Sequence, residues 1–152
     1  MGNLYQKILQ IRRFFHYNII MILNNSRLIL SLNGIIMIIQ GISFIIFANE
    51  ITISMFPFSE NNVQALELGV SLRYSMGSGS IFIGLLLFLC RGTTRSAAQK
   101  LLLGSGIGFL LLMITLLYIL FVRNVMVPVP VLLVFFILSI LSLYVSTRKF
   151  QE

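Results

Sequence analysis

The side chain with the greatest chemical consequence in this sequence is one arginine inside an apolar stretch. Arg73 follows Gly69-Val70-Ser71-Leu72 and precedes Tyr74-Ser75-Met76-Gly77, in a segment that runs apolar to Cys90. A guanidinium carries five donors, no acceptor and a permanent charge, so the chemistry open to it is to hold an oxyanion or a carbonyl. In hydrocarbon such a group costs about 2.5–3.5 kcal/mol at a helix centre, and less near an interface where its stem lets the charge snorkel outward. Two roles follow. As a structural group, Arg73 pairs with Glu50, Glu67 or Tyr118 near the outer surface. As a ligand-binding group, it ends a pocket closed by the Phe56-Pro57-Phe58 loop and suited to an anionic or carbonyl-bearing amphiphile. Gln40, Thr115 and Tyr118 are the further candidates for that pocket, and Gln40 and Thr115 serve equally well as interhelical hydrogen-bonding groups.

Bond-making machinery is scarce. His16 is the sole histidine and Cys90 the sole cysteine, and the four acidic residues are Glu50, Glu60, Glu67 and Glu152. No carboxylate pair, Cys/His set or Ser-His arrangement has a meeting point, so no catalytic residues, metal or cofactor are expected and the chain does not read as an enzyme. A proton relay also lacks its usual intramembrane Asp, Glu or His. Cys90 beside Arg91 reads as a small membrane-buried residue, because a reactive thiol needs a stabilised thiolate and a partner base. The opening residues miss the myristoylation pattern, and Asn24-Asn25-Ser26-Arg27 does not resemble a signal cleavage site.

The elements that must position Arg73 are membrane helices. Hydrophobic residues make up 58% of the chain and charged residues 10%, with mean hydropathy +0.99. Soluble domains carry about 25% charged residues. Four apolar stretches, about 28–48, 69–90, 101–122 and 127–146, each approach the ~20 residues that carry a helix across ~30 Å of hydrocarbon. The expected fold is all-α: an integral membrane four-helix bundle over residues 28–152, preceded by an N-terminal interfacial amphipathic helix over residues 1–27. In that segment Leu4, Ile8, Ile11, Phe15, Ile19 and Ile22 share one helical side, and Lys7, Gln10 and Arg13 lie opposite.

Lys7, Arg12, Arg13 and Arg27 precede the first stretch. Arg91, Arg95 and Lys100 separate the second from the third, and Arg148 and Lys149 follow the fourth. Four crossings gather all of these on one side and leave Arg123, Glu50, Glu60 and Glu67 on the other. By the positive-inside rule both termini are then cytoplasmic, in what reads as a bacterial inner membrane. The net charge of +7 thus suits anionic lipid head groups rather than nucleic acid, which needs basic side chains gathered on a soluble face.

Helices packed in lipid meet through small and hydrogen-bonding residues, and each stretch carries a stripe of them. These are Asn33, Met37, Gln40 and Phe44 flanked by Gly34 and Gly41; Gly69, Arg73, Gly77, Ser80 and Gly84; Gly104, Gly108, Thr115 and Tyr118; and Ser139, Ser142 and Ser146. The expectation is that all four converge on one axis, with Gly77, Ser80, Gly84, Gly104 and Gly108 as helix-packing positions. Asn25 or Ser26 suits the first N-cap, Ser59 the start of a helix leading into the second span, and Pro128 and Pro130 the first turn of the fourth.

The Asn33-Gly34 start of the first span, the proline-bearing loop at Pro57 and Leu72-Arg73-Tyr74-Ser75-Met76-Gly77-Ser78-Gly79 together resemble small four-span bacterial membrane proteins of the DoxX-like kind, over about 28–148. That resemblance implies a redox-associated, quinone-binding subunit as one reading. The leading expectation from the residues is an accessory or scaffold subunit that binds lipid, other membrane proteins or further copies of itself. A small-solute or amphiphile carrier or channel using Arg73 is the runner-up.

Overall fold

The computed structural model describes residues 25–147, so the interfacial helix expected over 1–27 lies almost wholly outside the described residues, as do Arg148 and Lys149. Five α-helices form: α1 (Ser26–Ile46), α2 (Ala48–Met55), α3 (Val63–Leu89), α4 (Arg95–Val122) and α5 (Val129–Thr147). Short 3-10 turns cover Pro57–Asn61 and Cys90–Gly92. There is no strand among the described residues. The helices α1, α3, α4 and α5 are each long and apolar enough to cross a membrane. The chain is an all-α protein with the spans of an integral membrane protein.

Local chemistry sets the helix ends. Asn25 caps α1 by accepting from the Leu28 amide at 3.3 Å. Asn62 caps α3 by accepting from the Ala65 amide at 3.1 Å, which satisfies an amide the helix itself leaves free. Ser59 does not start that helix. Its hydroxyl donates to the Phe56 carbonyl at 2.7 Å within the preceding 3-10 turn. Both α3 and α4 begin earlier than the expected spans at 69 and 101, because hydropathy marks only the lipid-embedded part of a helix whose hydrogen bonds continue into the head-group layer. Between α4 and α5, Asn124 adopts φ 52°, a left-handed conformation that asparagine tolerates. This turn brings the Val125 amide back to the Ile119 carbonyl at 3.4 Å. Pro130 sits in the first turn of α5, while Pro128 precedes the helix and accepts from the Val131 amide at 3.0 Å.

The helices assemble as two antiparallel pairs. α1 runs along α3, and α4 runs along α5; the pairs meet through α1, which also touches α4, α5 and the Cys90–Gly92 turn. α2 folds onto α3. The beginning of α1, the turn at 90–92, the beginning of α4 and the end of α5 therefore share one end of the molecule. Arg27, Arg91, Arg95 and Lys100 mark this basic end, and Glu50, Glu60, Glu67 and Arg123 mark the opposite, acidic end. The buried core gathers toward the basic half, around Ile29, Leu30, Leu87, Ala98, Leu102, Leu138 and Val145.

Close approach of α1 and α3 depends on four glycines. A Cβ at Gly34 would stand 2.7 Å from the Gly84 carbonyl oxygen, and one at Gly84 would stand 2.7 Å from that of Gly34. Gly41 and Gly77 repeat the arrangement at 2.5 and 2.8 Å. These separations leave no room for a side chain, so backbone faces backbone at both levels. The seven-residue step from 34 to 41 matches that from 77 to 84, the repeat that keeps one seam facing a partner in a left-handed helix pair.

Candidate functional site

Arg73 is 8% exposed and lies on the face of α3 that carries Gly69, Gly77 and Gly84. A helical side chain leans toward the N-terminus of its helix, which carries the guanidinium toward the acidic end. Gly69 is the next residue of this face in that direction, and the Thr52 side chain of α2 fills the space it leaves.

The groups around the guanidinium are soft and apolar. Nη2 lies 2.8 Å from Met55 Sδ on α2, Nη1 lies 4.0 Å from Met76 Sδ, and the Phe44 ring centroid of α1 is 5.7 Å from Cζ. Thioether sulfur is a weak acceptor, and a cation over an aromatic face gains about 0.5–2 kcal/mol according to its desolvation. No carboxylate, carbonyl or hydroxyl accepts from Arg73 among the described residues. The expected pairing with Glu50, Glu67 or Tyr118 is therefore corrected: the glutamates make no ion pair with it, and Tyr118 is 54% exposed on α4. Tyr118 is remote because α3 lies against α1 and not against α4.

The other members of the expected pocket are not brought to Arg73. Gln40 is half-buried on α1 and makes no side-chain hydrogen bond among the described residues. Thr115 is exposed, and its hydroxyl donates to the Leu111 carbonyl of its own helix at 2.9 Å. Thr115 and Tyr118 thus face outward from α4 while Arg73 faces inward from α3.

The same outward turn keeps two of the expected packing positions out of the contacts within the chain. Gly77 and Gly84 pack as expected, and Ser80 is half-buried between their levels. A Cβ at Gly104 or Gly108, however, would meet nothing within 4 Å. The glycine that receives α5 is Gly106, against Leu143. Its carbonyl accepts from Ser139 Oγ at 3.0 Å, and Phe109 stacks with Phe135 at 6.0 Å one turn further on. Along α4 the positions 104, 108, 111, 115 and 118 form the opposite, outward stripe.

A polar junction ties the two helix pairs together. Asn33, fully buried on α1, donates from Nδ2 to Ser142 Oγ of α5 at 2.7 Å and to Ser105 Oγ of α4 at 3.5 Å. Its Oδ1 is buried without a partner. The polar character of Asn33 and Ser142 is visible in the stripes, but Ser105 hides between the glycines of 104–108. The contacts of Met55 and Met76 with Arg73 were likewise silent in the sequence, because methionine in an apolar run carries no signal of what it touches. No known protein family, curated protein or solved structure matches the chain.

Proposed function

We propose that this protein is an accessory or scaffold subunit of the membrane that docks through the outward stripe of α4, with a second copy of the same chain as its partner. The observation that carries this reading is the empty space over Gly104 and Gly108. Small residues at i and i+4 let two helix backbones approach in lipid, where packing and interhelical hydrogen bonds replace the hydrophobic drive. Leu111, Thr115 and Tyr118 extend the stripe past the glycines and offer a hydroxyl edge to a neighbouring helix. α4 is also the least enclosed span: 11% of its apolar stretch is buried, against 28–33% for the other three. A two-fold arrangement sets the stripe against itself, so one surface serves both partners. The basic end lies on the cytoplasmic side, next to anionic lipid head groups. A carrier route through Arg73, Gln40, Thr115 and Tyr118 has less support, since these side chains line no common path.

Disulfide trapping in native membranes tests the reading. With Cys90 replaced by Ser, Leu111→Cys on the stripe is expected to cross-link into dimers, while Phe82→Cys, exposed on α3, stays monomeric. Adding Gly104→Ile and Gly108→Ile to the Leu111→Cys chain is expected to abolish the cross-link. A chain that cross-links equally at both cysteine positions, or at neither, rules out this docking face.

A further inference from the structure

We infer that the Arg73 guanidinium is the receptor for the phosphate or carboxylate head group of a membrane-dissolved amphiphile, held beneath α2 at the acidic end of the α1–α3 pair. This site lies on a different helix pair from the α4 stripe and does not depend on dimerisation.

The first ground is an unmet electrostatic demand. Arg73 is more than nine-tenths buried, and its donors find two thioether sulfurs while its plane lies near a phenyl ring, with no oxygen acceptor among the described residues. Buried charges are ordinarily paired and hydrogen-bonded, and a planar guanidinium is suited to grip two oxygens of one anion at once. Three carboxylates lie at the same end, Glu50 on α2, Glu60 in the 3-10 turn and Glu67 on α3, and none of them pairs with this group. The oxygen acceptor is supplied from outside the chain.

The second ground is the material of the enclosure. Met55 and Met76 are unbranched, with flexible side chains that adapt to what they pack against. Met76 is 49% exposed on the lateral surface of α3, so the guanidinium is screened from the bilayer there by a side chain that can swing aside. Met76 and Leu72, one helical turn apart on α3, make these lateral surfaces apolar, with Leu72 56% exposed. A free anion gains nothing from these surfaces. An amphiphile lays its chain along them while its head reaches Arg73, and the head enters from the side, without passing the fold formed by α2 and the Pro57–Asn61 turn.

The test uses the full chain in lipid nanodiscs of pure phosphatidylcholine, or of phosphatidylcholine with phosphatidylglycerol, and adds inorganic phosphate to the first as a separate arm. Thermal unfolding and native mass spectrometry of retained lipid are read together. Wild type is expected to unfold at higher temperature with phosphatidylglycerol and to retain that lipid selectively, with phosphate alone having little effect. Arg73→Met, which preserves an unbranched apolar stem, is expected to lose the temperature shift and to retain about tenfold less of the anionic lipid, the factor that accompanies loss of one charge-assisted contact. Arg73→Lys, which keeps the charge without the fork, is expected to fall between them. Equal behaviour of wild type in the two bilayers overturns the inference, as does an undiminished lipid-dependent shift in Arg73→Met. A full shift produced by inorganic phosphate alone also overturns it, because the ligand is then a free anion. Should Arg73→Met fail to insert, the two wild-type bilayers and Arg73→Lys decide the matter, and Arg73→Lys equal to wild type in both readouts counts against the fork.

Discussion

Glycines spaced along α1 and α3 and glycines spaced along α4 use the same residue in opposite ways. At 34, 41, 77 and 84 each glycine is faced by the backbone of the other helix, so the missing Cβ is what brings the helices together. At 104 and 108 the missing Cβ leaves open space. About half a helical turn separates these outcomes on α4 itself, where Gly106 receives Leu143 while its neighbours two residues to either side face away. A small-residue spacing therefore states that a helix can be approached closely, and the identity of the approaching helix is a separate matter. Within the α1–α3 pair the partner is internal. On α4 it is the second copy proposed above.

Substitutions that fill the space break this comparison most directly. Gly34→Leu or Gly84→Leu drives a side chain into the facing carbonyl and is expected to lower stability by about 3 kcal/mol or more, beyond the usual cost of overpacking because the obstacle is backbone; thermal unfolding in mild detergent measures it. Gly34→Leu behaving like wild type would mean that the α1–α3 approach does not rest on glycine. Loss of the junction between the pairs comes next. Asn33→Leu removes both hydroxyl contacts and is expected to cost roughly 1 kcal/mol, within the range of interhelical hydrogen bonds in bilayers, and to increase proteolysis between α3 and α4 at Thr93–Thr94. Its cost stays modest because Oδ1 has no partner to lose.

Smaller again, Arg73→Met in zwitterionic detergent without anionic lipid is expected to raise stability slightly, by under about 1 kcal/mol, since a charge without an oxygen partner is replaced by a group that matches its surroundings. A marked fall in the same measurement would mean that the sulfur and ring contacts satisfy the guanidinium. The smallest effect on the monomer is expected from Gly104→Leu and Gly108→Leu, within about 0.5 kcal/mol of wild type as for other surface changes. These two should nevertheless lose the dimer in cross-linking. That contrast, large at 34 and 84 and negligible at 104 and 108, sharpens the comparison with one residue type throughout.

Much of the architecture was legible because the bilayer imposes it on composition. Runs of about 20 apolar residues with charges confined to their ends admit few arrangements other than spanning helices, since every backbone polar group must be satisfied within the segment. The packing face of α3 and the burial of Asn33, Ser139 and Ser142 also followed from residue type and helical spacing, and of the two caps offered for α1, Asn25 and Ser26, the structure uses Asn25. The helix leading into the second span was expected from Ser59 and starts instead at Val63 behind the Asn62 cap, and the start at Arg95 was not legible because a polar first turn is invisible to hydropathy.

The sequence by itself determined that four helices are long and apolar enough to cross a membrane, which faces of α1, α3 and α5 are small or polar, and that one guanidinium lies among apolar residues. Only the tertiary structure decided that α3 pairs with α1, that α4 turns Gly106 inward and Gly104 and Gly108 outward, and that Arg73 meets sulfur and a ring instead of a carboxylate. The physical reason is that lipid rewards any apolar face equally, so hydropathy cannot distinguish a face that meets a helix from one that meets acyl chains. That choice comes from matched spacing on two helices, as at 34–41 and 77–84, and it exists in neither helix alone.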